Sequence, residues 1–545
     1  MTIDPRAGRI AAEADLVDLA KLTLAYFRDR PDPSEPSQRV VFGTSGHRGS
    51  SLRRSFNEDH IASITAAICD WRQAHGVAGP VYLGMDTHAL SEPARTTAAE
   101  VLAARGARVL VAASGSYTPT PAVSRAIVVH NRGSGPRADG IVVTPSHNPP
   151  EDGGFKYDPP HGGPAEGSIT SWIERRANEL LAAGGARTIE RKSLEAAVRE
   201  GLVGEYDYLT KYVEDLAGAI DVASIARAKP KVGVDPMGGA SVQYWSRIAE
   251  RYGLDLTVVN QTVDKTFRFV PVDHDGKVRT DCSSPYAMAN LIARKNEFDV
   301  AVGNDADADR HGIVTPGAGL VPPNHYLSVA VDYLFRHRPK WPASLSIGKT
   351  AVTSSMIDRV ARSVGRPVLE VPVGFKWFVP GLRDGTLGFG GEESAGGAFL
   401  SLDGSTWTTD KDGLLLGLLA AEIVAVTGQD PGELYDAIER KLGKSYYERR
   451  DAAAPRTVRE RLLRLAPTDW KAPAMAGDPV TGRRTSAGGG ADLGGLKVET
   501  EEGWFAVRPS GTEDIYKLYA ESFRSQAHLE QILGEGAALV SSVAG

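Results

Sequence analysis

A chain of 545 residues is too long to fold around one hydrophobic core, so its length predicts several domains. Hydrophobic residues make up 42% and charged residues 24% of the chain, which is typical of globular proteins and excludes general disorder. The 62 basic and 68 acidic side chains leave a net charge of −6, which excludes an overall basic surface for nucleic acid or an anionic membrane.

The cysteine content and the N-terminal sequence indicate the compartment. Cys69 and Cys282 are far apart and outside any CxxC pattern, which predicts neither a disulfide framework nor a zinc site. Residues 1–30 lack the apolar core of a signal peptide, and no stretch is long and apolar enough to span a bilayer. We therefore expect a cytoplasmic protein with no nucleic-acid or membrane partner.

The first predicted elements form an N-terminal arm and a glycine-rich loop. Apolar residues recur at helical spacing over residues 11–29, which predicts an amphipathic helix, and the prolines of residues 31–36 end it. This arm could pack on the body of the protein or on a second subunit. Residues 41–49 then combine three glycines with Arg48, and such a loop can present backbone N–H groups and a guanidinium to an anion.

A pattern of strand, helix and strand occurs three times along the chain. Because each unit joins two strands through a helix, the pattern predicts parallel pairing with right-handed crossovers in three related α/β domains. A further apolar run follows each unit and ends in a polar loop, at residues 144–150, 303–312 and 390–397. We expect these loops to be equivalent positions that converge on one cleft. The predicted units are 81–86, 91–105 and 107–112; 231–235, 240–252 and 254–259; and 345–347, 352–364 and 367–371.

The first of these loops presents a serine. Residues 141–143 predict a short buried strand, and the prolines on either side of Ser146 end it and stiffen the loop. Ligands bind at the carboxyl ends of strands in open α/β sheets, so Ser146 is a candidate nucleophile. The alternative is an ordinary surface turn. A serine hydrolase is disfavoured because Ser146 lacks the G-x-S-x-G pattern.

The second loop carries Asp305, Asp307 and Asp309 directly after an apolar run. In an extended chain these carboxylates point the same way, and their hard oxygen atoms suit Mg²⁺. A calcium-binding EF-hand is excluded because Arg310 stands at its sixth position and Pro316 at its twelfth. The remaining alternative is a solvated acidic loop.

Two later stretches are suited to a phosphorylated sugar. Residues 390–397 offer carboxylates and a hydroxyl on a glycine-rich frame, although an exposed acidic turn has the same composition. Residues 508–512 combine an arginine with hydroxyl groups and a glycine, which predicts a phosphate-binding loop. Between these stretches, residues 446–500 predict a basic helix, a loop and the entry into a fourth, different domain. Together the loops favour phosphoryl transfer on a sugar phosphate.

The motifs TPSHNPP, GNDADADR, GGEESAGG and RPSGTED, in this order, resemble the α-D-phosphohexomutase superfamily. The chain length, the N-terminal arm and the TTDKDG stretch at residues 408–413 are similar to the bacterial phosphoglucomutases. The resemblance implies three related mixed-sheet α/β domains and a smaller α+β C-terminal domain around a central cleft. The expected boundaries are 1–37 for the arm, 38–208, 209–322 and 323–445 for the three domains, and 446–545 for a linker with domain 4.

The resemblance also implies a role for individual residues. Ser146 is the expected phosphoserine, and its phosphate completes the shell of a Mg²⁺ ion held by Asp305, Asp307 and Asp309. Arg310 is expected near the reacting phosphate, and Lys411 is expected to reach the substrate. One departure from the family pattern is Val373, which lacks the hydroxyl common in relatives, so a contact there must come from the backbone or Lys376. The other expected site residues are Arg48, His147 and Lys156 beside the nucleophile, Glu392 and Ser394 at the sugar, and Arg508, Ser510, Gly511 and Thr512 at the non-reacting phosphate.

The implied activity is the reversible interconversion of alpha-D-glucose 1-phosphate and D-glucose 6-phosphate through glucose 1,6-bisphosphate. The partners are then hexose phosphates, and the protein is a monomer or a homodimer. Two alternatives remain open: a phosphomannomutase or dual-specificity enzyme of the same family, and a catalytically silent protein that binds sugar phosphates.

Overall fold

The computed structural model describes residues 3–43, 46–488, 490–510 and 514–544. The predicted Gly511 and Thr512 therefore lie outside the described residues.

The first domain is a seven-stranded mixed sheet with helices packed against it. Its strand order is β1-β2-β6-β5-β3-β4-β7; the central β3 is parallel to β4 and β5, and β6 returns antiparallel to β5. The elements are α1 (Leu19–Arg28), β1 (Phe42–Gly43), β2 (Gly46–Gly49), α2 (Glu58–Ala74), β3 (Val81–Met85), α3 (Ser91–Ala104), β4 (Val109–Ala112), α4 (Thr120–His130), β5 (Asp139–Val143), β6 (Gly153–Asp158), α5 (Gly167–Ala182), α6 (Leu194–Arg199) and β7 (Val203–Tyr206).

The second domain repeats this arrangement in a five-stranded sheet of order β12-β11-β10-β8-β9, in which β8 is parallel to β9 and β10. Its elements are α7 (Tyr208–Asp215), α8 (Val222–Ala228), β8 (Val232–Asp235), α9 (Val242–Tyr252), β9 (Leu256–Val258), α10 (Ala289–Ala293), β10 (Val300–Asn304), β11 (His311–Thr315) and β12 (Gly319–Val321).

The third domain has a four-stranded sheet of order β14-β13-β15-β16, in which β13 is parallel to β14 and β15. Its elements are α11 (Pro323–His337), β13 (Ser346–Thr350), α12 (Met356–Ser363), β14 (Val368–Val371), α13 (Val379–Asp384), β15 (Leu387–Glu392), β16 (Gly396–Phe399), α14 (Gly413–Thr427) and α15 (Pro431–Leu442).

The C-terminal domain differs from the other three, because the strands of its main sheet, of order β17-β23-β22-β21-β20, are all antiparallel. Its elements are β17 (Tyr446–Ala453), α16 (Arg456–Leu462), β18 (Ala474–Met475), β19 (Asp478–Pro479), β20 (Gly482–Ser486), β21 (Asp492–Glu499), β22 (Gly503–Pro509), β23 (Ile515–Ser522) and α17 (Gln526–Ala544). The predicted fold class, three related α/β domains and a smaller α+β domain, is confirmed.

The threefold repeat places the three polar loops at equivalent positions. Each of the three sheets contains four neighbouring strands in the same arrangement: β4-β3-β5-β6, β9-β8-β10-β11 and β14-β13-β15-β16. In each set the last two strands form an antiparallel hairpin. The predicted loops connect β5 to β6, β10 to β11, and β15 to β16. Each loop therefore begins at the carboxyl end of a central strand, where open α/β sheets bind ligands.

Helix α14 is strongly apolar because it lies in the core of the protein. Residues 413–423 of α14 are buried, and the helix packs between the second and third sheets. Within the described residues, no single helix is long and apolar enough to cross a membrane. Helices α14 and α15 together meet the criteria of length and composition, but they are bent by 74° relative to each other. Burial on all sides accounts for an apolar sequence without a polar face.

Two predicted helices differ from the structure. The helix predicted over residues 11–29 is shorter, Leu19–Arg28, because the Asp18 side chain accepts a hydrogen bond from the Lys21 N–H and caps it. The arm packs on the body of the protein: the Tyr26 hydroxyl donates to Thr97 in the first domain, and residue 8 donates its N–H to Val272 in the second. The basic helix predicted after residue 446 begins later, as α16 (Arg456–Leu462), because residues 446–453 pair with β23 as a strand.

Candidate active site

The Ser146 loop turns sharply after β5. Ser146 has a φ angle of 59°, in the left-handed region, and its N–H donates to Thr144 Oγ1 at 2.8 Å. The Ser146 hydroxyl donates to Asp305 Oδ2 at 2.7 Å, and His147 Nδ1 lies 3.4 Å from the same hydroxyl oxygen. The alternative of an ordinary surface turn does not hold: Ser146 is only 1% exposed, because the aspartate loop of the second domain lies against it.

The three aspartates form a compact acidic cluster. One carboxylate oxygen from each of Asp305, Asp307 and Asp309 lies within 4.8 Å of the other two, and all three side chains are buried. Among the described residues, Asp307 Oδ1 and Asp309 Oδ1 have no hydrogen-bond partner. Burial and the charges of its two neighbours raise the pKa of Asp305 well above its ordinary value. Unpaired buried oxygen atoms and crowded negative charge fit a hard divalent cation, so these residues could hold a metal ion.

Two lysines partly neutralise this cluster. Lys156 Nζ donates to Asp307 Oδ2 at 2.6 Å and to Asp309 Oδ2 at 3.1 Å, and Lys411 Nζ lies 3.2 Å from Asp309 Oδ2. Burial opposes ionisation of Asp309, but the two ammonium groups hold the pKa of its carboxyl well below the usual range. The lysines come from the first and third domains, so the cluster joins charges from three domains.

Three more predicted residues surround the nucleophile. Arg48 Nη1 donates to Asn148 Oδ1 at 3.1 Å, two residues after Ser146. Burial, followed by the charge of Arg310, lowers the pKa of Arg48 and of His147, so His147 is neutral. Arg310 Nε lies 3.9 Å from Asp309 Oδ1, beyond hydrogen-bond distance. The guanidinium groups of Arg48 and Arg310 thus lie close to the Ser146 loop and the aspartate cluster, where they could offset the negative charge of a phosphate group.

The sugar-loop candidate contacts the aspartate loop through the backbone. His311 donates its N–H to the Ala395 carbonyl at 3.1 Å, next to Ser394. Glu392 is 6% exposed, and its Oε1 accepts a hydrogen bond of 3.0 Å from the Gly374 N–H. Burial raises the pKa of Glu392 to about 7, although Lys411 lowers it. The first three domains thus bring the Ser146, aspartate and sugar loops together.

Lys376 lies at a different edge of this region. Its pKa is lowered by burial and raised in part by the charge of Glu166, which precedes α5 in the first domain. Val373 is in the apolar cluster of Val352, Trp504 and Tyr519, between the third and C-terminal domains. The side chain of Val373 therefore contributes to domain packing in this structure.

The predicted phosphate loop lies in the C-terminal domain. Arg508 of β22 pairs with Lys517 of β23, and beyond the end of β22 the Ser510 N–H donates to the Ile515 carbonyl at 2.9 Å. Burial raises the pKa of Tyr519, Glu393 raises it further, and Arg508 lowers it. The charges of Arg508 and of Glu393, a residue of the sugar loop, thus both affect the pKa of Tyr519. Among the described residues, no hydrogen bond or ion pair joins Arg508 to the Ser146 cluster.

Sequence reasoning missed several polar residues of the site. The Thr120 hydroxyl donates to Asp307 Oδ2 at 2.6 Å, and Asp86 accepts a hydrogen bond from the Thr144 hydroxyl at 2.7 Å. Asp281 interacts with His147 and Arg310, and these interactions hold the pKa of its carboxyl well below the usual range against the effect of burial. Asp86 is the last residue of the predicted strand 81–86, and this position at the carboxyl end of a strand could have indicated a site residue. Thr120 and Asp281 have no comparable signal in the sequence.

Comparison with known proteins identifies the family. Four domain descriptions match in order: phosphoglucomutase/phosphomannomutase alpha/beta/alpha domain I at residues 39–183, domain II at 210–318, domain III at 322–442, and the C-terminal domain at 474–538. The chain is 53% identical over 544 residues to a phosphoglucomutase of Komagataeibacter xylinus. The matched residues make up 99% of this chain and 98% of that protein. The chain belongs to the phosphoglucomutase/phosphomannomutase family.

Solved structures of this family share the fold. A putative phosphomannomutase from Thermus thermophilus matches with a TM-score of 0.72 and 25% identity, over 94% of this chain and 100% of that one. The open form of pp63/parafusin, a phosphoglucomutase from Paramecium, matches with a TM-score of 0.74 over 95% of this chain and 96% of that one. At 19% identity, the second likeness supports the fold alone.

Proposed function

We propose that this member of the phosphoglucomutase/phosphomannomutase family interconverts alpha-D-glucose 1-phosphate and D-glucose 6-phosphate through a phosphorylated Ser146. The observation that carries the proposal is the hydrogen bond from the Ser146 hydroxyl to Asp305, within a cluster of three buried aspartates and two lysines. Glucose is the proposed sugar because the relative that is 53% identical over nearly the whole chain is named phosphoglucomutase.

The reaction would transfer one phosphoryl group twice. Phosphorylated Ser146 gives its phosphoryl group to the free hydroxyl of the substrate, the bond to Ser146 Oγ breaks, and the proton of the attacking hydroxyl is finally carried by Ser146. The intermediate, glucose 1,6-bisphosphate, turns round, and its other phosphate returns to Ser146. Such transfers depend mainly on positioning and on charge stabilisation. Lys156, Lys411, Arg48 and Arg310 supply positive charge beside the serine.

Mg²⁺ is the proposed metal, held by Asp305, Asp307 and Asp309, because carboxylate oxygen atoms are its preferred ligands. When bound, it would offset negative charge on the transferring phosphoryl group. Glucose 1,6-bisphosphate is the proposed activator, because it can phosphorylate Ser146 and so prepare the enzyme for turnover.

The other predicted residues are proposed to bind the substrate at a distance from the reacting phosphate. Glu392 and Ser394 would contact sugar hydroxyls, and Lys376 would contact the sugar phosphate from the third domain. Arg508, Ser510, Gly511 and Thr512 would hold the non-reacting phosphate, so that remote binding energy aligns the reacting group. We also propose the domain boundaries predicted from the sequence, with the fourth domain and its linker at residues 446–545.

The test is a coupled assay with glucose 1-phosphate and mannose 1-phosphate in parallel, together with the intact mass of the enzyme. We expect faster turnover of glucose 1-phosphate, and one phosphate on the enzyme that is lost during incubation with the sugar phosphate. A preference for mannose 1-phosphate would instead support the phosphomannomutase alternative. Binding of both sugars without turnover or enzyme phosphorylation would support a silent binding protein.

A further inference from the structure

Ser146 adopts a backbone conformation that residues other than glycine rarely adopt. Its φ angle of 59° lies in the left-handed region, and nothing in a serine side chain favours that conformation. The hydrogen bond from the Ser146 N–H to Thr144 Oγ1, at 2.8 Å, connects this residue to the end of β5. The conformation of Ser146 therefore depends on the orientation of the Thr144 side chain.

Thr144 is oriented by Asp86, a buried carboxylate at the end of β3. The Thr144 hydroxyl donates to Asp86 Oδ2 at 2.7 Å, so its lone pairs face the Ser146 N–H. Asp86 also accepts hydrogen bonds from the Ser91 hydroxyl, at 2.6 Å, and from the N–H of residue 88, at 3.0 Å, both on Oδ1. Asp86 is 0% exposed, so these donors replace water around the carboxylate.

His88 connects the Asp86 carboxylate to the part of the loop that follows Ser146. Its Nδ1 lies 2.7 Å from Asp86 Oδ2, and its Nε2 lies 3.0 Å from the Asn148 carbonyl oxygen. Both partners are acceptors, so the ring donates from both nitrogen atoms and carries a positive charge. The His88 ring also packs against Phe267 of the second domain, with 4.8 Å between ring centroids. His88 and Thr144 therefore hold the loop after and before Ser146.

We propose that Asp86, Thr144 and His88 are positioning residues that hold Ser146 in its left-handed conformation with the hydroxyl directed at Asp305. This inference rests on the proposed function, because it assumes that Ser146 accepts and donates the phosphoryl group. None of the three residues touches the Ser146 hydroxyl in the described structure, and they act through the backbone of the loop. Their loss changes the placement of the nucleophile and leaves the substrate contacts in place.

The main test compares Thr144→Val with Thr144→Ser. Valine has nearly the shape of threonine but neither accepts from the Ser146 N–H nor donates to Asp86, whereas serine retains the hydroxyl. We expect Thr144→Val to lower kcat by about 10- to 100-fold with KM within about twofold of the wild-type value, because misplacement of a reacting group has effects of that size. Thr144→Ser is expected to recover most of the lost kcat. Intact-mass analysis after incubation with glucose 1,6-bisphosphate is expected to show slower phosphorylation of Thr144→Val.

Ser91→Ala is the matched control. It also removes one hydrogen bond from Asp86, but from Oδ1, and among the described residues no hydrogen bond joins Ser91 to the Ser146 loop. We expect it to lower the melting temperature and to keep kcat near the wild-type value. An equal loss of kcat in Ser91→Ala and Thr144→Val would overturn the proposal, because any lost hydrogen bond at Asp86 would then have the same effect. Wild-type kcat in Thr144→Val would also overturn it.

A second variant covers the case in which Thr144→Val does not fold. His88→Gln retains an amide donor for Asp86 but cannot reach both Asp86 and the Asn148 carbonyl, so kcat is expected to fall while KM is kept. Unchanged kcat in His88→Gln would contradict the proposal. The wild-type enzyme separates this inference from the proposed function: absence of wild-type mutase activity refutes the function, whereas the positioning role is judged only by the variants relative to an active wild type.

Discussion

The Ser146 hydroxyl donates a hydrogen bond of 2.7 Å to Asp305 Oδ2, although the two residues are 159 positions apart and follow strands of different sheets. The candidate nucleophile and the candidate metal ligands are therefore in direct contact. Backbone contacts fix this arrangement, since the Thr120 N–H donates to the Asp307 carbonyl and the N–H of residue 413 donates to the Ala308 carbonyl. The aspartate loop is thus held between the first and third domains.

Ser146→Ala is expected to abolish mutase turnover and to prevent phosphorylation of the enzyme by glucose 1,6-bisphosphate. The substitution removes one hydrogen bond to Asp305, so the loss of stability is expected to be about 1 kcal/mol and the fold is retained. Turnover and intact mass measure the first effect, and thermal unfolding measures the second. Ser51→Ala is a suitable control, because Ser51 is also buried and donates to the Leu22 carbonyl at 2.7 Å, away from the site. Retention of turnover by Ser146→Ala would refute the nucleophile assignment.

Removal of divalent metal with a chelator is expected to abolish activity, and Mg²⁺ is expected to restore it. Asp307→Asn should shift the restoration to higher Mg²⁺ concentrations, because it removes one of three carboxylates from the cluster. A titration of activity against Mg²⁺ measures the shift. Asp332→Asn, on α11 and paired with Arg336, is expected to follow the wild-type titration. If Asp307→Asn also followed the wild-type curve, the aspartate cluster would not be the metal site.

The pH dependence of KM near neutrality is expected to depend on Glu392. Burial raises the pKa of Glu392 to about 7, so the side chain is protonated below and ionised above that pH. A carboxylate accepts hydrogen bonds from sugar hydroxyls better than a protonated carboxyl does, so KM for glucose 1-phosphate should fall as pH rises through about 7. Glu392→Gln should show a higher KM without this change between about pH 6 and 8. The same pH dependence in both proteins would assign it to another group.

The repeated α/β pattern was predictable from the sequence because it depends on local signals. Apolar β-branched runs and the turns that end them recur at similar spacing, and parallel pairing then follows from the helical crossovers. The placement of Ser146 and of the three aspartates at the ends of strands could be predicted in the same way, because each loop comes directly after a predicted strand. Short motifs within one loop are independent of how the domains pack.

Contacts between distant segments were not predictable in this way. The burial of Ser146 comes from the second domain, and the roles of Asp86 and His88 depend on a loop about 60 residues later. Arg449 and Arg450 begin a run of arginines that is typical of a solvated helix face, yet they lie on β17, because pairing with β23 outweighs the local charge pattern. In each case the deciding partner is remote in sequence.

Acid is expected to destabilise the first domain through the buried, stacked pair His47 and His60, whose ring centroids are 5.5 Å apart. His60 Nδ1 accepts a hydrogen bond from the Asn57 N–H, so the neutral ring donates from Nε2 to the Gln38 carbonyl at 2.9 Å. Burial lowers the pKa of His47 to about 4. The pKa of His60 is lowered to about 3, mainly by burial and in second place by the charge of His47.

The sign of this effect follows from proton binding. In the unfolded chain histidine titrates near pH 6.5, so between that pH and about 4 the unfolded state binds more protons, and the free energy of unfolding falls as pH falls. At pH 5 this amounts to about 2 kcal/mol for His60. His60→Gln retains an acceptor for the Asn57 N–H and has no titrating ring, so it should lose about 2 kcal/mol less than the wild type between pH 7 and 5. Urea unfolding at both pH values measures the difference, and equal losses in the two proteins would show that His60 does not contribute to acid unfolding.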